Sequence, residues 1–358
     1  MIAIQGVGVV GGFGSGLEEL SNTLSYKSPR TQHVQVKTSD GLRHMLVYLA
    51  DTARLEDFLN TRILRRVHHY SKMALLGAYL AIQDAGGLDG DRSRVGIIVA
   101  SGYGPSRTTS GFLDTFIDDG YSFSSPIFFS NSVQNAAVAN ISLLLTITGP
   151  GLTVSQLEMS VPSALIAAKN WLEEGRVDSV LLGAVDEYHD ALGYFWHSQH
   201  GELATVDHEI KPFEFDLQTA IPSEGATFFL LRKADDKSPS RYGYIEGVIM
   251  GRCERSPLTI TDNTFLFVGA DGNKDCGDHY KNYIPENAQV VSYTPVYGSL
   301  PIGPAFDMAI AALSRKAGIL CGPPAGNIAA TDMSMDEKHI KCLKIDKEGQ
   351  FGIITLVP

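Results

Sequence analysis

Residues 149–187 read GPGLTVSQLEMSVPSALIAAKNWLEEGRVDSVLLGAVDE, and their pattern fixes the fold class. Gly149-Pro150-Gly151 breaks the chain, and Leu152-Thr153-Val154 is a short apolar, β-favouring run. Ser160 and Pro162 supply helix-start signals, and Val161, Leu165, Ala168 and Leu172 recur at helical spacing. Gly175 stops that helix. The run from Ser179 to Gly183 is compact and apolar, suited to the middle of a parallel sheet. Strand, turn, helix, strand is the order of an α/β fold.

A side chain in the turn before such a helix meets unpaired N–H groups and partial positive charge. A cysteine there loses its proton readily and becomes a nucleophile. This turn holds Gln156, Leu157, Glu158 and Met159 instead, and a carboxylate cannot carry an acyl group as a thioester. Thr153-Val154-Ser155, the turn, the helix to Gly175 and Gly183-Ala184-Val185-Asp186 together resemble the nucleophile segment of β-ketoacyl synthases of the thiolase superfamily. The family's spacing, counted back from Gly175, puts Glu158 where the acyl-accepting cysteine stands.

The resemblance implies a thiolase-like α/β fold, five layers αβαβα built from two similar halves. The polar stretch Asp235–Ser240 divides them, giving an N-terminal half at 1–236 and a shortened C-terminal half at 241–358. Lys211-Pro212-Phe213-Glu214 and Glu224-Gly225-Ala226 match a second family signature. Active members also need two histidines, which hydrogen-bond the developing enolate and handle protons. The first belongs in Val268-Gly269-Ala270-Asp271-Gly272, where Asp271 takes its place. An ionised carboxylate cannot donate a hydrogen bond to an enolate. The second follows a glycine near residue 300, so Ser299 or Leu300 stands there. The family's lysine upstream is replaced within Thr294-Pro295-Val296, and only Phe351-Gly352 remains of the gating loop.

With all three catalytic positions substituted, the chain looks like a chain length factor. These are the inactive partners of ketosynthases in type II polyketide synthases, which make aromatic polyketides or aryl polyenes. The resemblance then implies a heterodimer with an active ketosynthase, with this chain shaping the tunnel that limits chain length. Phosphopantetheine would be carried by the partner acyl carrier protein, and no cofactor is expected on this chain. In the family the segment 105–131 crosses the dimer interface and lines the tunnel. Thr109, Phe112, Leu113 and Phe116 are the candidate gate, and Phe128, Phe129, Asn131 and Gln134 the candidate interface; Tyr121 and Phe123 belong to the same apolar cluster. The alternative is a malonyl-carrier-protein decarboxylase making starter units. Its relatives carry glutamine at the cysteine position, whereas Gln156 is two residues out of register.

The remaining features narrow the function further. A net charge of −11 argues against nucleic acid. No run reaches a membrane span, and Met1-Ile2-Ala3-Ile4 opens directly as a strand, so a cytoplasmic protein is expected. Cys253, Cys276, Cys321 and Cys342 lack CxxC spacing, which points to reduced thiols. Gly6-Val7-Gly8-Val9-Val10-Gly11 is a literal GxGxxG, but loop-like residues follow its third glycine. A tight turn between strand and helix is sufficient reading, and a nucleotide site the weaker one. A long helix is predicted from Arg62 to Gly86, with Arg62, Arg65 and Arg66 as a solvated start or a contact for an acidic carrier. None of His68, His69, His189, His197, His200, His208, His279 and His339 lies at a family catalytic position, and no metal site is expected.

Overall fold

The computed structural model describes residues 1–26, 30–39, 41–120, 125–200, 209–235, 239–261, 263–322, 325–328 and 333–358, without the side chains of residues 119, 197, 199 and 200. Ten strands, numbered along the chain, form two half-sheets. They are β1 (Ile2–Gly11), β2 (Val95–Ala100), β3 (Gly151–Val154), β4 (Ser179–Asp186), β5 (Gly225–Lys233), β6 (Tyr244–Arg252), β7 (Thr264–Val268), β8 (Gln289–Ser292), β9 (His339–Ile345) and β10 (Gln350–Val357).

The order β3-β2-β4-β5-β1 runs through the first half and β8-β7-β9-β10-β6 through the second. Both orders are third-second-fourth-fifth-first within their half. In each, the first three strands are parallel and the fifth is antiparallel to both its neighbours. A duplication that the residues show only faintly is thus plain in the pairing. The half-sheets join through two residue pairs, Ile2 with Ile245 and Ala3 with Tyr244.

The helices Ser160–Glu173 and Gly303–Ala317 touch each other and strands of both halves, so they form the middle layer. The helices His69–Asp84 and Gly277–Tyr283 cover the two outer faces. With both faces covered, β1, β2, β4 and β7 are buried along their whole length, which explains their near-continuous apolar runs. This is the thiolase-like five-layer arrangement.

Two local expectations need correction. Gly6 and Gly8 lie inside β1 rather than in a turn. A Cβ at either would come within 2.2 Å of Ala81 O or 2.1 Å of Gly77 O, so the pair exists to let the His69–Asp84 backbone approach the sheet. No helix opens at Gly11, and the nucleotide reading falls with that. The long helix from Arg62 is also two pieces, Thr61–Leu64 and His69–Asp84, because His68 is extended. Arg62, Arg65 and Arg66 are exposed at the break. Of the remaining expectations, Tyr121, Phe123, His208, residue 236 at the half boundary and the side chains of His197 and His200 lie outside the described residues.

Candidate functional site

The turn between β3 and the helix Ser160–Glu173 is tightly specified. Leu157 sits at φ +48°, a left-handed conformation unusual for leucine, and Glu158 occupies the short 3-10 turn Leu157–Met159 that feeds the helix. Ser160, fully buried, ties the turn down: its hydroxyl accepts from Gln156 N at 2.8 Å and donates to Ser101 O at 3.0 Å. The turn rests on β9 and β10, and Gly352 leaves room for Pro162 and Met159.

Asp271 and Ser299 meet at the same place. The Ser299 hydroxyl donates to Asp271 O at 2.7 Å and accepts from Ile221 N at 3.0 Å. Leu300 is packed into the central core, so of the two registers Ser299 is the one that faces the site. The Asp271 carboxylate is paired with Lys344, whose ammonium lies 2.8 Å from Oδ2 and 3.0 Å from Gly269 O. Their side chains are 12% and 5% exposed, so this ion pair is largely withdrawn from water. The Glu158 carboxylate lies in the combined field of Lys344, Asp271 and Asp346. Ser299, Asp271 and Glu158 are thus linked through Asp271 and Lys344.

Sequence reading missed Lys344. Its enclosure in the strand HIKCLKI becomes visible only once the strand is packed, and a lysine so enclosed must have a partner. Burial pulls its pKa down, but Asp271 and Glu158 outweigh that and hold it above the ordinary lysine value. Burial raises Glu158 above the usual carboxylate range, against the pull of Lys344. Below the pocket, Asp307 accepts from Tyr297 OH at 2.9 Å and is pushed up to about 7 by burial. Cys276 is buried beside the same charges and its thiol is pushed far up by burial, so it is no substitute nucleophile.

Two further acids brace the neighbouring loop. Asp186 Oδ1 accepts from the Ser101 hydroxyl at 2.8 Å and from the Gly102 and Tyr103 amides at 2.9 and 2.8 Å. Glu187 accepts from Arg107 N at 3.0 Å, at the start of the helix Ser106–Asp119. Burial pushes both acids up to about 7. Glu224 lies beside them, bonded to His69 at 2.8 Å.

The gate candidates stand on that braced helix. Phe112 is half-buried against the Phe129 ring, centroids 5.5 Å apart, while Thr109 is exposed and Leu113 and Phe116 are 48% and 47% exposed. Among the interface candidates, Phe128 packs edge-on to His68 and Phe129 is 58% exposed. Asn131 Nδ2 donates to Ile127 O within its own helix, and Gln134 is exposed beside Gly104. Ile117 and Ile127 extend this apolar surface. Beside it, β3 ends the sheet order with only β2 as a neighbour among the described residues, leaving one edge free to pair.

No three His, Cys, Asp or Glu side chains gather to hold a metal among the described residues, and their four cysteines are free. None of the described helices is long and apolar enough to cross a membrane.

Comparison with known proteins agrees with this geometry. The chain is 23% identical over 315 residues to polyketide beta-ketoacyl synthase 1 of Streptomyces virginiae, covering 83% of this chain and 72% of that protein. The ishigamide ketosynthase/chain length factor superposes with a TM-score of 0.76 at 16% identity, covering 99% and 98% of the two chains. A ketosynthase in complex with its chain length factor from Xenorhabdus doucetiae gives 0.77 at 14% identity, covering 99% and 97%. Residues 1–237 match the family described as beta-ketoacyl synthase, N-terminal domain. The chain belongs to the β-ketoacyl synthase family.

Proposed function

We propose that this chain is a non-catalytic ketosynthase-like subunit, a chain length factor, that pairs with an active ketosynthase in type II polyketide biosynthesis. The observation that carries the reading is the cluster itself: the Ser299 hydroxyl bonds Asp271 and Lys344 is committed to the Asp271 carboxylate, in keeping with Glu158, Asp271 and Ser299 taking the places of the family's catalytic residues. That set holds no thiol able to accept an acyl group and no imidazole to activate an extender.

The free edge of β3 and the exposed apolar surface of Phe116, Ile117, Ile127 and Phe129 suit a partner of the same fold. The known structures of ketosynthase with chain length factor support that choice. Thr109, Phe112, Leu113 and Phe116 would then bound a tunnel closed only when the partner is in place. The acyl chain would reach it on the phosphopantetheine of an acyl carrier protein, a partner supported by the known complex of a type II polyketide synthase acyl-carrier protein with its ketosynthase bound to a hexaketide, and the assembly would work in the cytoplasm.

The decarboxylase reading is disfavoured, since a malonyl carboxylate would enter beside two acids already sharing one cation. The test is co-expression with the cognate ketosynthase. A stable heterodimer whose chain synthesis needs both subunits, while the isolated chain takes no covalent acyl label, is the expected result. Acylation or turnover by the chain alone refutes it.

A further inference from the structure

The pocket contains a feature that loss of catalysis does not require. A cation has been brought in from β9, next to the strand that leads into Asp271, and bound on two sides by Gly269 O and Asp271. A lysine withdrawn from water survives only with such partners. The Leu157–Met159 turn packs on the same strand, β9, so the head of the Ser160–Glu173 helix lies beside the strand that carries the ammonium.

We infer that Lys344 is the positioning counterion of this centre: its ammonium addresses position 158 as well as Asp271, fixing the charge of the pocket and seating the turn beside the free edge of β3. The groups facing position 158 are Lys344 from β9, Asp271 from the loop after β7, Asp346 from the turn between β9 and β10, and Tyr103 from the loop after β2. Cys276 stands behind Asp271 and Lys344. Lys344 is the one cationic side chain in that set, and it adds to the helix N-terminus in drawing a negative charge to position 158. Glu158 shows the balance, because its rise through burial is opposed first by Lys344. The inference does not depend on pairing with a ketosynthase and can be tested on this chain alone.

A thiol placed at 158 serves as the reporter. Glu158→Cys is labelled with iodoacetamide across a pH series, with and without Lys344→Met, and modification at residue 158 is read by peptide mass spectrometry. The Lys344 background should show a midpoint at least about one pH unit lower, so labelling well below both midpoints runs about tenfold faster there. Lys344→Gln, which keeps a donor for Gly269 O, provides the neutral background if Lys344→Met does not fold. Coincident midpoints, a reversed order, or no labelling at residue 158 of the folded protein overturns the inference.

Discussion

Replacing Lys344 by methionine removes the cation but keeps the length of the side chain, leaving the largely buried Asp271 and the half-buried Glu158 without a counterion. Removing one member of a buried pair costs about 3–5 kcal/mol, because the remaining charge keeps its desolvation penalty. Unfolding entropy near ~2.1 cal/mol/K per residue, over 358 residues unfolding as one unit, is about 0.75 kcal/mol/K. The melting temperature should therefore fall by about 4–7 °C. Lys344 is held above its ordinary pKa, so its stabilisation is complete below that value and is lost only as pH rises through the folded-state pKa. The penalty should accordingly be level between about pH 6 and 9. Adding Asp271→Asn should recover at least half of it, since the orphaned carboxylate is then gone. Scanning calorimetry of wild type, the two single variants and the double variant measures each quantity. A drop below about 1 °C, or a double variant no more stable than Lys344→Met, would sink the view that this pair is a fixed ion pair.

Glu158→Ala should leave the ketosynthase partner active in an assembled complex, as measured by carrier-bound products; loss of all synthesis from an intact complex would contradict the non-catalytic role. Phe112→Ala with Phe116→Ala should lengthen those products by one or more extender units if the helix Ser106–Asp119 bounds the tunnel, and unchanged masses would remove both from the gate. Phe129→Asp should abolish co-purification with the partner while the chain's own melting temperature moves by less than about 2 °C, as expected of an exposed site; retained pairing excludes it from the contact. Asp307 binds its proton more tightly folded than unfolded, so its contribution is complete below the ordinary aspartate value and fades as pH rises through about 7. Asp307→Asn should flatten the decline of melting temperature between pH 5 and 8, with Asp186 and Glu187 sustaining the remainder; an unchanged slope would show that Asp307 does not titrate there.

Several parts of this molecule could be read from the residues alone. The strand–turn–helix–strand of 149–187 follows from apolar spacing and two glycine breaks, and β3, the helix Ser160–Glu173 and β4 occur where those signals put them. Positions 158, 271 and 299 could be singled out because each lies in a local pattern of turn and strand, and the structure links them through Asp271 and Lys344. Lys344 was not, because its role depends on two strands distant in sequence lying side by side in register, Val268 opposite Leu343. The glycines of β1 were misread for a related reason. Their meaning lies in a helix some seventy residues away, whose carbonyls occupy the space a side chain would need. Local signals describe elements; what an element is for depends on what packs against it.

The repeated strand order has a consequence for how the chain holds together. The middle helices are clothed on one side by residues such as Val180, Leu182 and Phe229, and on the other by Phe265, Ile340 and Ile354, all in one contiguous apolar cluster. Cleaving the polypeptide at the polar stretch before β6 would give each fragment half of a wall and an oily helix with nothing on its far side. Such pieces should be insoluble or molten apart and regain order on mixing. The two repeats, whatever their origin as copies, share one apolar core and should unfold as a single cooperative body.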